Sequence, residues 1–239
     1  MKNTINNTSI HQIKTLLQSL ASADKEKTAK FFKTGTGGYA EGDEFIGVPV
    51  PVLRKIAREF MHVSLSELQE LIQSKINEER LLALIILGSR YKKASTAVKE
   101  EIYQFYLTHL QHVNNWNLVD SSAHLIMGAH LINEDKGILL RLAQSDTMWE
   151  RRIAMVATWY FIRQYDLSWT FKIAEILLND KHDLIHKAVG WMLREAGKRA
   201  PNQLILFLDQ HTAFMPRTML RYAIEKLSVE QRQYYLMRK

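Results

Sequence analysis

The chain contains no cysteine, which excludes disulfides, thiolate metal sites and cysteine nucleophiles. Proline and glycine are scarce, at 4 and 10 of 239 residues. An all-β chain, which needs a turn every strand or two, is poorly served by so few punctuators. No pair of alternating apolar segments is joined by an Asn-Gly or Asp-Gly turn, so hairpins are not expected. Long apolar runs are missing too. The longest candidate, Leu81 to Leu87, falls far short of the roughly 20 residues that span a bilayer. The polar start from Met1 to Ser9 has none of the character of a secretory signal, and the expectation is a cytoplasmic protein without a membrane segment.

What is present is a folded composition, with 46% hydrophobic and 24% charged residues. The net charge is +7 and the sequence pI about 9.5. From Lys187 onward ten basic residues face four acidic ones, so this stretch holds six of the seven excess positive charges. A basic surface suits a polyanionic partner, because each neutralised phosphate releases counterions.

Helical periodicity runs through nearly the whole chain. Ile10, Ile13, Leu16, Leu17 and Leu20 follow Ser9, which is expected to cap the first helix. Pro49 and Pro51 open a helix carrying Leu53, Ile56, Ala57 and Phe60. Ser64 with Glu67, and Ser228 with Gln231, have the spacing of capping boxes. Segments that begin charged or aromatic and continue apolar recur: ERLLALIIL from Glu79, NWNLVDSSAHLIMG from Asn115, WERRIAMVATWYFIR from Trp149, HDLIHKAVGWMLRE from His182 and PRTMLRYAIEKL from Pro216. Their starts lie roughly 35 residues apart, the period of helical-pair repeats. Stretches such as Thr96–Leu110 and Leu167–Leu178 supply the second helix of each pair. The expected fold is all-α, a HEAT-like helical-repeat solenoid forming a single domain over residues 1–239. Gly35–Val48 breaks the rhythm as a glycine-rich, acidic loop. It lacks the Lys-Ser/Thr of a phosphate-binding loop, and Glu41, Asp43 and Glu44 would repel phosphate, so it reads as structural.

Trp116 and Asp120 are four apart on one expected helix and share a face; Trp191 and Arg194, three apart on another, do the same. Arg151 and Arg152 open the helix between them. Each has a plain structural reading, since tryptophan at helical spacing is usually core. A carboxylate among groups suited to phosphate weakens DNA binding, however, and such a cost suggests a chemical task. His182 and His186 lack the intervening glutamate of a zinc protease helix and have no third ligand in view, so no metal site is expected. His109 and His112 read as loop residues, and Met127, Met148, Met155 and Met192 as core filler.

The segments NNWNLVD (Asn114–Asp120), WERRIA (Trp149–Ala154) and HKAVGWMLREAGKR (His186–Arg199) resemble motifs of the AlkD-like DNA alkylation repair family. The loop YAEGDEFIGV and the stretch MPRTMLRYAIEKL do as well, and the motifs occur in family-like order from the first helix to the last. The resemblance implies a HEAT-like fold whose concave basic groove holds duplex DNA. It implies a monofunctional DNA glycosylase that excises N3- and N7-alkylated purines without metal, organic or nucleotide cofactor; oligomerisation is not signalled in the sequence, and a monomer is expected. Asp120 matches the family's catalytic carboxylate, Trp116 and Trp191 its lesion-contacting aromatic pair, and Arg152 and Arg194 its DNA-backbone arginines. Phe31 stands near a position where some members carry tyrosine, and Ala40 where many carry glycine. The resemblance further implies recognition of the lesion from the backbone side without base extrusion. Two alternatives stay open on the sequence: a relative that binds DNA structures without excision, and a HEAT-like protein scaffold.

Overall fold

The computed structural model describes residues 6–238, with side chains over 9–238, and is helical throughout. Among the described residues there is no named strand; one isolated bridge pairs Glu44 with Ile76. The contacts divide the chain into two compact units, Met1–Ser122 and Ala123–Lys239.

The first unit contains α1 (Asn6–Ser19), α2 (Lys25–Phe31), α3 (Val50–Glu59), α4 (Leu65–Ile72), α5 (Asn77–Tyr91), α6 (Thr96–Thr108), a 3-10 turn (Leu110–His112) and α7 (Trp116–Ser122). Ser9 is not the cap of α1, which begins three residues earlier. Pro49 is the extended residue ahead of α3 and Pro51 lies in its first turn, where the missing N–H has no intrahelical partner to lose. Both bonds of the Ser64–Glu67 box are present at the start of α4: Ser64 Oγ accepts from the Glu67 N–H, and the Glu67 carboxylate accepts from the Ser64 N–H at 2.8 Å. Helix α5 is the centre of this unit. Residues Leu81 to Leu84, with Ile86 and Leu87, are essentially inaccessible, because α3, α4 and α7 cover it from several sides.

His109 and His112 are not plain loop residues. His109 is buried at the end of α6, where its Nδ1 meets the Phe105 carbonyl at 2.7 Å, and His112 closes the 3-10 turn. Burial first, then nearby His109 and Arg80, hold the His112 imidazole below its ordinary value of 6.5. The unfolded chain therefore takes up this proton first as the pH falls. The stability that His112 contributes is complete above about pH 6.5 and is lost as the pH drops through the lower folded value. In urea titrations between pH 5 and 7, His112→Gln should show a flatter loss of stability on acidification than the wild type.

The second unit contains a π-helical turn (His124–Gly128), α8 (Ala129–Leu131), α9 (Gly137–Ala143), α10 (Met148–Arg163), α11 (Ser168–Ile176), α12 (Asp183–Gly197), α13 (Pro201–His211), α14 (Arg217–Ala223) and α15 (Val229–Met237). The stretch NWNLVDSSAHLIMG is thus not one continuous α-helix: the Gly128 N–H reaches back five residues to the Ala123 carbonyl at 2.9 Å. Helix α10 packs on the π-turn, α9, α11 and α12, and α12 in turn packs on α13 and α14. Met127, Met155 and Met192 are buried in this core, while Met148 is only partly covered. The Ser228–Gln231 box starts α15.

Two glycines permit close helix approach. A Cβ on Gly128 would lie 2.2 Å from the Ala157 carbonyl oxygen, and one on Gly190 would lie 2.5 Å from both the Met219 oxygen and the Tyr222 Cβ. Gly190→Val should destabilise the protein by about 3 kcal/mol, the upper end of ordinary overpacking, because the obstructing atoms belong to or adjoin the α14 backbone and cannot rotate away. A lowered urea midpoint with an unchanged slope would report it.

A repeated device starts the central helices. Ile76, Thr147 and His182 are the extended residues ahead of α5, α10 and α12. Four residues on, Arg80, Arg151 and His186 each return to the carbonyl six positions before themselves, at Ser74, Ser145 and Asp180. Arg80 is paired with Asp43 and Arg151 with Asp180, each at 2.6 Å. A cation near a helix N-terminus opposes the macrodipole, and the carbonyls and carboxylates gathered around it offset that cost. The shared geometry is the structural counterpart of the roughly 35-residue period, two periods separating α5 from α10 and one separating α10 from α12.

Candidate active site

Trp116 and Asp120 lie one turn apart on α7, and both line a cavity of about 500 Å³ in the first unit. Each is partly buried. The tryptophan is held on three sides. Its ring stacks on Phe32 (4.9 Å between centroids, 12° between planes), the exposed Phe31 meets it edge-on at 6.0 Å, and its Nε1–H donates to the Tyr39 hydroxyl at 3.1 Å. Phe32 stacks in turn on Phe45 at 4.5 Å, while buried Ala40 packs into the same cluster. The glycine-rich loop therefore supplies Tyr39, Ala40 and Phe45 to a wall around Trp116. Phe31 offers no hydroxyl here, whereas Tyr39 does.

Buried polar bonds fix the direction in which α7 begins. The Asp43 carboxylate receives Arg80 on one oxygen, and Asn77 and Asn115 on the other at 3.2 and 3.0 Å. Asn117 donates to the Asn77 side chain at 2.6 Å. Asn115 immediately precedes Trp116, and its carbonyl accepts from the Leu118 and Val119 N–H groups that open the helix. One carboxylate in the loop thus ties α5 to the start of α7. Asp43 is an ion-paired structural anchor of the loop, its charge met by Arg80 rather than left to repel phosphate.

Glu78 was not singled out by sequence, yet its carboxylate also lines the cavity. It accepts from the N–H groups of Ile46 and Gly47, the latter at 2.8 Å. Burial raises its carboxyl above the ordinary range, and these backbone bonds pull the other way. Gly47 has a φ of +78°, and a Cβ there would strike the Ser22 hydroxyl oxygen at 2.6 Å. No local sequence signal marks Glu78, because its partners lie more than thirty positions earlier in the chain.

In the second unit, Trp191 on α12 meets Trp159 of α10 edge-on at 4.9 Å, and Trp159 lies 4.5 Å from buried His124 of the π-turn. The guanidinium of Arg163 sits 4.2 Å from the centroid of Trp159. Arg194 pairs with Glu225, with Glu195 at 3.7 Å from its Nε. The Lys226 hydrogen bond first, and then Arg194, hold the Glu225 carboxyl below its ordinary range. Arg152 is only 5% exposed, and its Nη1 donates to the Leu184 carbonyl in the first turn of α12. His186 is occupied by the Asp180 carbonyl, and among the described residues no group of three His, Asp or Glu side chains could hold a metal ion.

The cavity joins the Asp120 carboxylate on α7, the stacked aromatic face of Trp116, and a wall built partly from the glycine-rich loop and the buried Glu78. Such a site can hold a developing positive charge beside a fixed negative one. No helix among the described residues is long and apolar enough to cross a membrane.

Comparison with known proteins agrees with this architecture. A solved structure described as "Predicted DNA alkylation repair enzyme from Enterococcus faecalis" superposes with a TM-score of 0.67 at 16% identity, covering 86% of this chain and 95% of that one. At that identity the likeness speaks for the helical-repeat fold. No curated protein matches the sequence. The family model described as DNA alkylation repair enzyme matches residues 13–227, nearly the whole chain. This chain belongs to the DNA alkylation repair enzyme family, with DNA as its partner and the repair of alkylation damage as its role.

Proposed function

We propose that the protein is a monofunctional DNA glycosylase that hydrolyses the N-glycosidic bond of cationic N3- and N7-alkylated purines in duplex DNA. The observation that carries the reading is the placement of Asp120 beside Trp116 on one face of α7, both opening onto one cavity. Alkylation at N3 or N7 makes the purine a cationic leaving group. As the bond breaks, positive charge develops on the sugar in an oxocarbenium-like state. The Asp120 carboxylate stabilises that charge and orients the attacking water. Two opposite charges about 4 Å apart gain about 4 kcal/mol at an effective dielectric near 20, roughly a thousandfold in rate when realised only in the transition state.

Trp116 and Trp191 are proposed to contact the lesion, each indole face favouring a cationic centre by about 0.5–2 kcal/mol. Arg152 and Arg194 are proposed to contact the DNA backbone. For Arg194 this means exchanging Glu225 for a phosphate, and for Arg152 the bond to Leu184 makes the start of α12 part of the same contact. Backbone contacts of this kind position the duplex without reading sequence. No lysine occupies the matching catalytic position, so no Schiff-base lyase step is assigned.

The experiment is release of 3-methyladenine and 7-methylguanine from methylated duplex DNA by the purified protein. Release of both bases, with intact abasic strands left behind, is the expected result. Binding of duplex without release of either base would overturn the excision reading.

A further inference from the structure

The motif HKAVGWMLREAGKR ends in two cations, Lys198 and Arg199, that the excision chemistry does not use. With Arg163, Glu195 and Trp159 they line a recess of about 270 Å³ in the second unit. Arg163 is seated over Trp159, and Trp159 adjoins Trp191, so the recess lies next to the tryptophan proposed to meet the lesion. Arg199 is held by Tyr165: its guanidinium lies 4.9 Å from the ring centroid, and its Nη1 donates to the hydroxyl at 2.9 Å. Lys198 pairs with Glu195 at 2.7 Å. Three cations against one carboxylate leave the recess with two positive charges in excess, and rings that restrain two of them lower the entropy lost on binding an anion.

The backbone supplies a second, independent sign. Tyr165 has a φ of +63°, in the left-handed region. It is the C′ residue, just after the C-cap Gln164, of a Schellman turn that closes α10, in which the Asp166 N–H bonds to the Phe161 carbonyl at 3.0 Å and the Tyr165 N–H to the Ile162 carbonyl at 3.2 Å. That position favours glycine, which has no Cβ to crowd the backbone. Here it carries a tyrosine that is 69% exposed, so burial does not compensate the strain. The ring is spent on Arg199. Strain retained at an exposed residue that orders a charged one is a mark of a binding site.

We propose that this recess binds a backbone phosphodiester of duplex DNA, with Arg163, Lys198 and Arg199 as the contacting cations and Tyr165 as the residue that positions Arg199. The assignment rests on DNA as the partner and is independent of the excision chemistry.

The test is the affinity of the full chain for a labelled undamaged duplex, read by fluorescence anisotropy across a salt series, with the melting temperature of every variant measured alongside. For Arg163→Ala, Lys198→Ala and Arg199→Ala, the slope of log K against log salt should each become shallower by up to about one. Tyr165→Gly leaves the net charge unchanged and relieves the left-handed strain. It should melt at the same temperature or higher, yet bind duplex more weakly with a shallower slope. Alanine variants that melt normally and keep the wild-type slope would overturn the proposal. So would a Tyr165→Gly protein that melts lower and binds as well as wild type, since the tyrosine would then serve the fold alone. Base release by wild type alongside unchanged slopes would remove this site and leave the glycosylase reading standing; changed slopes without release would do the reverse.

Discussion

Asp120→Asn should release 3-methyladenine and 7-methylguanine about a thousandfold more slowly than wild type, while binding the same duplex at least as well. Asparagine preserves the shape of the side chain and removes its charge. The loss therefore falls on the step in which the sugar becomes cationic, and kcat should fall with little change in KM. Binding should hold or improve, because a carboxylate facing a polyanion costs affinity. The measurement is single-turnover base release at saturating enzyme, beside anisotropy binding to an uncleaved duplex. A variant within tenfold of wild type in the chemical step would remove Asp120 from the reaction and leave electrostatic stabilisation to another group. Glu78, a buried acidic residue that also lines the cavity, would then be the group to examine, although its bonds to the Ile46 and Gly47 N–H groups already employ it structurally.

Arg80→Met should destabilise the protein by about 3–5 kcal/mol, the cost of leaving a buried charge without its partner. The Asp43 side chain is 8% exposed and the Arg80 side chain 4%, so water does not readily replace the lost guanidinium. Ser74 and Lys75 would also lose a donor to their carbonyls. Replacing both partners, as Arg80→Met with Asp43→Leu, should recover only part of the loss. The unpaired charge is gone, but Asn77 and Asn115 have no carboxylate left to donate to. Urea unfolding of the two single variants and the double variant measures the coupling. Equal stability of Arg80→Met and wild type would refute the view that this network anchors the loop to α5 and α7.

Local signals in the chain were legible because their physics is local. The two capping boxes need only a serine and a Glu or Gln three residues later, and both formed at Ser64 and Ser228. Pro49 and Pro51 opened α3 for the same kind of reason. The recurrence of charged-then-apolar helices was read as a period, and the shared clamp at Arg80, Arg151 and His186 gives that period a geometric cause. Trp116 and Asp120 were placed on one face by a spacing of four, and both reach one cavity.

Other features had no local signature. Ser9 has the chemistry of a cap, but the backbone was already helical from Asn6. The π-turn at His124–Gly128 is set by packing against α10, where Gly128 admits the Ala157 carbonyl; a hydrophobic period does not reveal one extra residue in a turn. Trp159 has no distinguishing signal within its long helix, yet it links His124, Arg163 and Trp191. The motif resemblance implies a DNA contact for Arg152, and only the fold places its guanidinium on the Leu184 carbonyl.

The helical class, the repeat period, the two capping boxes and the family motifs follow from the sequence, because these rest on propensity, spacing and residue type within a few turns of chain. Tertiary structure alone decided what each polar side chain meets. Asp43 and Arg80 are 37 positions apart, Ile46 and Glu78 are 32 apart, and Arg199 and Tyr165 are 34 apart. Whether a charge is a solvated surface group, a buried anchor or a poised ligand depends on the partner the fold delivers and on the water it excludes, and neither is encoded in the residue's own neighbourhood.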